Sequence, residues 1–367
     1  MKIGIDISQA IYGTGVSVYT KNLVTALVKK YPEDRFVLFG GSLRRKAELT
    51  ALAKKLKGVP KIYPFPPTLL DFIWNSLHIL PIEKLIGQVD VVHTSDWTEP
   101  PSGLPKVTTV HDLVPFKYPQ TTTDSIRQTH KKRLYWVLNE SDMIIAVSKS
   151  TKEDLISLLR VPEEKIVVIP EGVESRYTPQ PLELVDQIKR KYKISGDYIF
   201  SLSTLEPRKN QAGLIKAYEI VKKTYPDITL LIGGRTGWGD IPKAVEGVLM
   251  PGFISDSDLP ALYSGAIVYA LPSFYEGFSL SQLQAMACGA PVVTSNISSM
   301  PEVIGSAGVL VNPESPSDIA AGIITAIERR GKLRELGIAQ AAKFTWDKAA
   351  ESTYSVYLEA IAKHKKI

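Results

Sequence analysis

The 367-residue chain has one cysteine, Cys288, and only five histidines. A single thiol forms no internal disulfide and builds no metal site by itself; between Ala287 and Gly289 it reads as a small packed side chain. No apolar run approaches the roughly 20 residues that a membrane-spanning helix needs. The opening Met1-Lys2-Ile3-Gly4-Ile5-Asp6 sets an acid inside the first apolar run. That is the pattern of a buried strand and not of a signal peptide, so a cytoplasmic protein is expected. Nowhere do aromatic residues interleave with basic ones along a strand pattern, which argues against nucleic acid as a partner.

What remains is a soluble, globular composition, 44% hydrophobic and 22% charged. At roughly 150 residues per domain the length suits two cores. The net charge of +6 is uneven: residues 1–180 carry 24 Lys and Arg against 19 Asp and Glu, residues 181–367 carry 20 against 19. The clusters Arg44-Arg45-Lys46, Lys54-Lys55 with Lys57, and Lys131-Lys132-Arg133 all fall in the first half. They read as solvated helix faces, with anionic lipid headgroups or an anionic acceptor as the functional alternative.

Both halves alternate short apolar runs with amphipathic segments, which gives parallel sheets flanked by helices. The first half predicts strands at 2–7, 36–39, 89–93, 107–110, 143–147 and 165–169, with helices that include 18–30 and 150–160. Ser150 with Glu153 reads as a capping box, and Pro162 ends the helix. The second half predicts strands at 198–203, 228–233, 248–252, 267–271, 291–294 and 308–311, then long helices at 317–344, broken at Arg330-Gly331, and at 347–363. The fold class is therefore α/β, two Rossmann-like domains face to face. Gly172, Pro179 and Pro181 mark the boundary. Residues 64–74, with three prolines, read as an irregular loop whose apolar tail packs inward.

Four places carry candidate chemistry. Gly13-Thr14-Gly15 follows the first strand and opens a helix, so its amides can approach a ligand. Val18 stands where a dinucleotide fingerprint needs its third glycine, and no acid ends the second strand, which weighs against a nicotinamide enzyme. His111-Asp112 follows the strand 107–110, another carboxyl-end position. Glu206-Pro207-Arg208-Lys209-Asn210 places two cations before a helix, where negative charge developing on a leaving group would be stabilised. Glu276-Gly277 lies between a strand and a helix whose first amides are free, a place for sugar and phosphate. Asp256-Ser257-Asp258 fits a metal-binding D-x-D pattern but reads as helix capping by Ser255 and Asp258.

Pro272-Ser273-Phe274-Tyr275-Glu276-Gly277-Phe278-Ser279-Leu280, running through Gln284 to Pro291, closely resembles the signature of the retaining glycosyltransferases of family 4, enzymes of the GT-B fold. Thr109 to Pro115 resembles that family's histidine motif, Ser203 to Asn210 its diphosphate-binding motif, and Ser299 to Val303 with Phe344-Thr345-Trp346 further landmarks. The resemblance implies two Rossmann-like domains facing each other across a cleft: residues 1–175 binding the acceptor, 176–346 binding the nucleotide sugar, and 347–367 a helix crossing back to the first. It implies that Gly13 and Gly15 approach the donor diphosphate, that His111 reaches the donor sugar, and that Arg208 and Lys209 hold the diphosphate. Glu276 is expected to orient a sugar hydroxyl, with Thr204, Ile254, Gly277, Phe278, Ser279 and Leu280 contacting the donor, largely through backbone.

One position departs from the family pattern: Gln284 stands where a second glutamate usually grips the ribose hydroxyls. A carboxylate accepts from two hydroxyls, whereas the amide offers one acceptor oxygen and an NH₂ donor, so weaker donor binding is expected. The resemblance implies metal-independent transfer without a cofactor, first from GDP-mannose and secondly from a UDP-hexose, to a glycan or glycolipid, as in polysaccharide biosynthesis. Peripheral contact with an anionic membrane at its inner face fits the basic first half. An impaired nucleotide-sugar-binding partner subunit is the reading from another class, and a nucleotide-sugar epimerase, active without acceptor, is a second enzymatic one.

Overall fold

The computed structural model describes residues 1–239 and 245–365. The chain divides into two compact units, Met1–Gly172 together with Trp346–Ile367, and Val173–Thr345. Each is a Rossmann-like α/β unit, as the sequence pattern requires.

In the first unit seven parallel strands run in the order β3-β2-β1-β4-β5-β6-β7. They are β1 (Lys2–Asp6), β2 (Arg35–Gly41), β3 (Val59–Tyr63), β4 (Val91–Ser95), β5 (Lys106–Val110), β6 (Met143–Ala146) and β7 (Ile166–Val168). Six match predicted segments. The seventh, β3, was not predicted, because Pro60 and Lys61 interrupt its apolar run. It pairs only with β2, and an edge strand tolerates a proline that a central strand does not. After β3 the chain crosses to the other side of β1, so the order reverses between β1 and β4. Ligands in such sheets bind outside the carboxyl ends of strands at that reversal.

In the second unit six parallel strands run β10-β9-β8-β11-β12-β13. They are β8 (Tyr198–Leu202), β9 (Thr229–Gly233), β10 (Val248–Gly252), β11 (Val268–Leu271), β12 (Val292–Ser295) and β13 (Gly308–Val311), all predicted. The reversal here lies between β8 and β11. One core packs helices Gln211–Val221 and Pro316–Glu328 on this sheet through Leu214, Tyr218, Ile319 and Ile323. Cys288 is fully buried, as expected, and burial pushes its thiol up to about 12.

Three local expectations are corrected. Helix Lys149–Leu159 is capped by Ser148, whose side chain accepts from the Thr151 N–H, so Ser150 lies inside it and forms no capping box. Residues 64–74 are not an irregular loop throughout: a helical turn Pro67–Leu70 leads into a π-helical segment Asp71–Ser76. Leu70 and Trp74 do pack inward, but Leu69 and Phe72 stay exposed. Of the cluster Lys131-Lys132-Arg133, Arg133 is buried and donates to the Thr109 carbonyl, so only the two lysines belong to a solvated face.

The last helix, Trp346–His364, packs in the first unit against helix Gly15–Lys30 and strands β4 to β6. Tyr357, fully buried on it, reaches His93 on β4. Among the described residues no helix is long and apolar enough to cross a membrane.

Candidate active site

At the reversal of the second sheet, the loops after β8 and β11 meet. Glu276 is buried, and both its oxygens are engaged: Oε1 accepts from Lys209 Nζ (2.7 Å) and Ser273 Oγ (2.6 Å), Oε2 from Arg208 (3.0 Å) and Lys209 (2.8 Å). Burial opposes ionisation of this carboxyl. The charges of Lys209 and Arg208 and the hydrogen bonds from Lys209 and Ser273 outweigh it, and the pKa falls to about 2. Arg208 also donates to Glu206 Oε1 (2.5 Å) and to the Tyr275 carbonyl (2.7 Å). A guanidinium held in this way keeps its direction when an anion arrives.

The local chain explains how these groups converge. Pro207–Lys209 is one 3₁₀ turn, ended by Asn210 in the left-handed region at φ 56°, and Asn210 caps the next helix by accepting from the Gly213 N–H. Its amide donates to the carbonyls of Pro272 (3.1 Å) and Pro313 (2.7 Å), tying the β8 loop to the one after β11. Thr204 is exposed, and its carbonyl is held by Gln211 (3.2 Å).

Helix Leu280–Ala287 begins four residues after Glu276. Ser279 precedes it in the left-handed region (φ 71°), and its buried hydroxyl has no hydrogen-bond partner among the described residues. Strain and an orphaned hydroxyl together at a helix start point to a ligand-facing turn. Gly277 and Phe278 are buried, with Phe278 edge-on to Phe344 at 5.8 Å, and Leu280 is partly exposed. One turn further, Gln284 is buried and its Oε1 accepts from Tyr263 (3.3 Å), so one of the two lone pairs of its acceptor oxygen is already in use.

On the far side of β8, Ile254 is buried against Gly233, where a Cβ would meet its Cδ1 at 2.2 Å. Phe253 beside it is exposed and lies under the Arg235 guanidinium at 4.9 Å. The expected capping by Ser255 and Asp258 is corrected. Asp258 occupies the N-cap position of Leu259–Gly265 without a side-chain capping bond, and instead accepts from Lys191 (2.6 Å) and Tyr192 (2.7 Å). The Ser255 hydroxyl bonds Ser257 (2.8 Å). Missed were Ser298 and the contact made by the landmark Ser299, both in the loop after β12, whose hydroxyls donate to the Glu276 carbonyl (2.7 and 2.9 Å). No local pattern distinguishes Ser298 from a turn residue.

In the first unit, Gly13 has a positive φ (69°), and helix Gly15–Lys30 begins three residues earlier than predicted, capped by a reciprocal Thr14–Ser17 box. A Cβ built at Gly15 would meet no heavy atom within 4 Å. Neither packing nor backbone angle within the protein therefore demands glycine at 15. His111 lies edge-on to Tyr19 (4.6 Å), with Nδ1 3.4 Å from Glu171 Oε1, and its buried Nε2 has no partner among the described residues. Asp112 turns the following loop by accepting from the Val114 N–H (3.1 Å).

Tyr19 is in turn fixed by a buried chain that motif reading missed. Its hydroxyl bonds Thr109 Oγ1 (2.9 Å), which bonds His93 Nε2 (2.8 Å), whose Nδ1 bonds Tyr357 (2.7 Å). Burial, with the nearby His111, lowers His93 to about 3, so its ring is neutral, with one nitrogen donating and one accepting.

Two parallel-sheet units, each with polar loops at its reversal and a cationic pair at one of them, are the arrangement that a glycosyltransferase of the GT-B type requires. Comparison with known proteins agrees. The model described as Glycosyl transferases group 1 matches residues 185–344, and that of Glycosyltransferase Family 4 matches residues 13–177. The O-antigen chain mannosyltransferase B of Escherichia coli is 34% identical over 269 residues, 68% of this chain and 69% of that protein. The serotype-specific mannosyltransferase WbdA of E. coli is 29% identical over 70% of this chain, which spans 34% of that longer protein. Among solved structures, a glycosyltransferase from Rickettsia africae superposes with a TM-score of 0.71 at 18% identity over 98% of both chains. Anabaena HepE in complex with UDP and glucose gives 0.71 at 17% identity, over 97% of this chain and 99% of that one. The chain belongs to the family 4 glycosyltransferases.

Proposed function

We propose that this protein is a retaining hexosyltransferase that moves mannose from GDP-mannose to a hydroxyl of a glycan or lipid-linked saccharide, without a metal. The observation that carries the proposal is the cluster of Arg208, Lys209 and Glu276 at the reversal of the second sheet, beside the orphaned Ser279 hydroxyl. Departure of a nucleoside diphosphate develops negative charge, and Arg208 and Lys209 meet it. One cation ~4 Å from that charge, at an effective dielectric of ~20, contributes ~4 kcal/mol before desolvation. Expressed only in the transition state, that is roughly a thousandfold in rate.

Ser279 and the amides of Phe278 and Leu280 hold the phosphate, Gly15 lets the backbone approach it, and Glu276 orients a sugar hydroxyl by giving up one of its present donors. His111 offers its unpartnered Nε2 to the donor sugar. The departing phosphate takes the acceptor's proton on the same face, so no side chain acts as a nucleophile. Mannose is favoured because two relatives are named mannosyltransferases. A UDP-hexose is the second reading, favoured by the complex of the fold relative HepE with UDP and glucose.

Calorimetric titration with GDP, UDP, ADP and their sugar conjugates, without metal and then with magnesium, tests this. Selective metal-free binding of GDP-mannose is expected. Selective binding of a UDP-sugar moves the donor to the second reading, and no binding to any of them overturns both.

The exposed Leu69, Phe72, Leu77 and Ile79, with Lys132 reaching Ser76 Oγ (3.0 Å) and Lys131 exposed beside it, form a face for anionic headgroups at the inner face of the cell membrane. Co-sedimentation with anionic but not neutral liposomes is expected; equal binding to both removes the electrostatic argument.

A further inference from the structure

The reversal of the first sheet holds side chains that the donor chemistry does not use. Asp96 directly follows β4, which lies beside β1 at that reversal, in the left-handed region at φ 75°. In the β4–β5 register Ser95 stands opposite Thr109, which brings Asp96 to the strand end that carries His111. The Asp96 carboxyl makes no hydrogen bond among the described residues, though it interacts electrostatically with His130, His111, Arg133 and Asp112. Burial is the largest cause and raises its pKa. His130, on helix Asp124–Glu140, also makes no hydrogen bond among the described residues, and burial lowers its pKa, so it presents a neutral ring with one donor and one acceptor.

Trp97 follows with 41% of its surface exposed, its ring 5.2 Å from that of His130 and tilted by 55°. It is not on a loose loop. The Trp97 carbonyl accepts from Asn75 Nδ2 (2.8 Å), Asn75 Oδ1 accepts from the Glu99 N–H (2.9 Å), and the Asn75 carbonyl accepts from Trp136 Nε1 (3.0 Å). Asn75 itself belongs to the π-helical segment Asp71–Ser76, a rare form that is frequent at functional sites.

A fixed, exposed aromatic face beside a carboxyl and an imidazole that lack partners is what a pyranose ring needs: an apolar C–H face to cover and hydroxyls to bond. We propose that Asp96, Trp97 and His130 form the acceptor subsite, and that the acceptor presents a pyranose ring stacked on Trp97 with its hydroxyls bonded by Asp96 and His130. The proposal rests on the transferase reading above and assigns the residues that hold the acceptor's sugar ring.

The test measures transfer from the donor that titration selects to methyl α-mannopyranoside and to octyl α-mannopyranoside. Asp96→Asn and Trp97→Ala are each expected to raise the acceptor KM by about tenfold or more with both probes, with the donor dissociation constant unchanged. Trp97→Phe is expected to recover most of the Trp97→Ala loss. An acceptor KM within about twofold of wild type in both variants overturns the proposal. So does a Trp97→Ala loss confined to the octyl probe, which would assign the ring to an alkyl chain. Donor binding without transfer to either sugar by the wild type overturns the acceptor class while leaving the transferase reading intact. Absence of nucleotide-sugar binding by the wild type overturns the transferase reading itself.

Discussion

Replacing Glu276 by glutamine removes one charge and leaves the shape almost unchanged. The carboxyl pKa of about 2 against an ordinary 4.5 means that the ionised form is favoured by folding. Converted by linkage, that is about 3 kcal/mol at pH 7 for a group as buried as this one. A carboxyl lowered on folding contributes its stability above pH 4.5 and loses it as pH falls toward 2. The advantage of wild type over Glu276→Gln should therefore be about 3 kcal/mol at pH 7 and about 2 kcal/mol at pH 3.5.

Hydrogen exchange at the amides of β8 and β11, followed from pH 7 to pH 3.5 with correction for intrinsic rates, reads this in the second unit directly. The same change takes the cluster of Arg208, Lys209, Glu206 and Glu276 from neutral to a net single positive charge. Binding of GDP alone should then hold or strengthen, while the extra affinity conferred by the sugar in GDP-mannose disappears. Equal stability of variant and wild type at pH 7, or a difference independent of pH, would refute the electrostatic account. An unchanged preference for GDP-mannose over GDP would refute the sugar contact.

Gln284→Glu is expected to tighten donor binding by ~1–3 kcal/mol, at least several-fold in the dissociation constant. Tyr263 occupies one lone pair of the single acceptor oxygen of Gln284, and the second carboxylate oxygen would be available to the ribose hydroxyls; an unchanged or weaker constant shows that the ribose is held elsewhere. His93, held near 3 by burial, binds its proton only when the first unit unfolds, so it withdraws about 1.4 kcal/mol of stability per pH unit as pH falls below 6.5. Asp6 runs the other way: burial raises it to about 6, and it favours the folded state below that pH. The His93 contribution is therefore read as a difference, and urea unfolding of wild type and His93→Gln should diverge with pH between 7 and 5. Parallel curves would show that the imidazole is not buried neutral.

How much was legible in the sequence depended on how local the cause is. Arg208, Lys209, Glu276 and Ser279 lie in contiguous runs at strand ends, where alternating apolar segments fix which residues emerge from the sheet. The strand at Val59–Tyr63 was illegible because an edge position relaxes the hydrophobic requirement and admits Pro60. Ser298 and Ser299 reach Glu276 across 22 and 23 residues, and Tyr357 reaches His93 across 264, so nothing near them in the chain announces their partners. Asp258 shows the opposite failure: a cap pattern stood in the sequence, but Lys191 and Tyr192, brought near by the packing of another helix, offered the carboxylate better donors.

The sequence by itself determined the two α/β units, their strand order in time along the chain, the family and the residue types available at each strand end, because periodicity and glycine or proline placement act over a few residues. Tertiary structure alone decided that Glu276 carries two cations, that Gln284 Oε1 accepts from Tyr263, and that a helix at the chain's end braces Tyr19 and with it the neighbourhood of His111. It also decided that Asp96 and Trp97 share an edge with His111. Partner choice among buried polar groups is settled by which elements the sheet order brings together, and hydrogen bonds in a low-dielectric interior then enforce that choice.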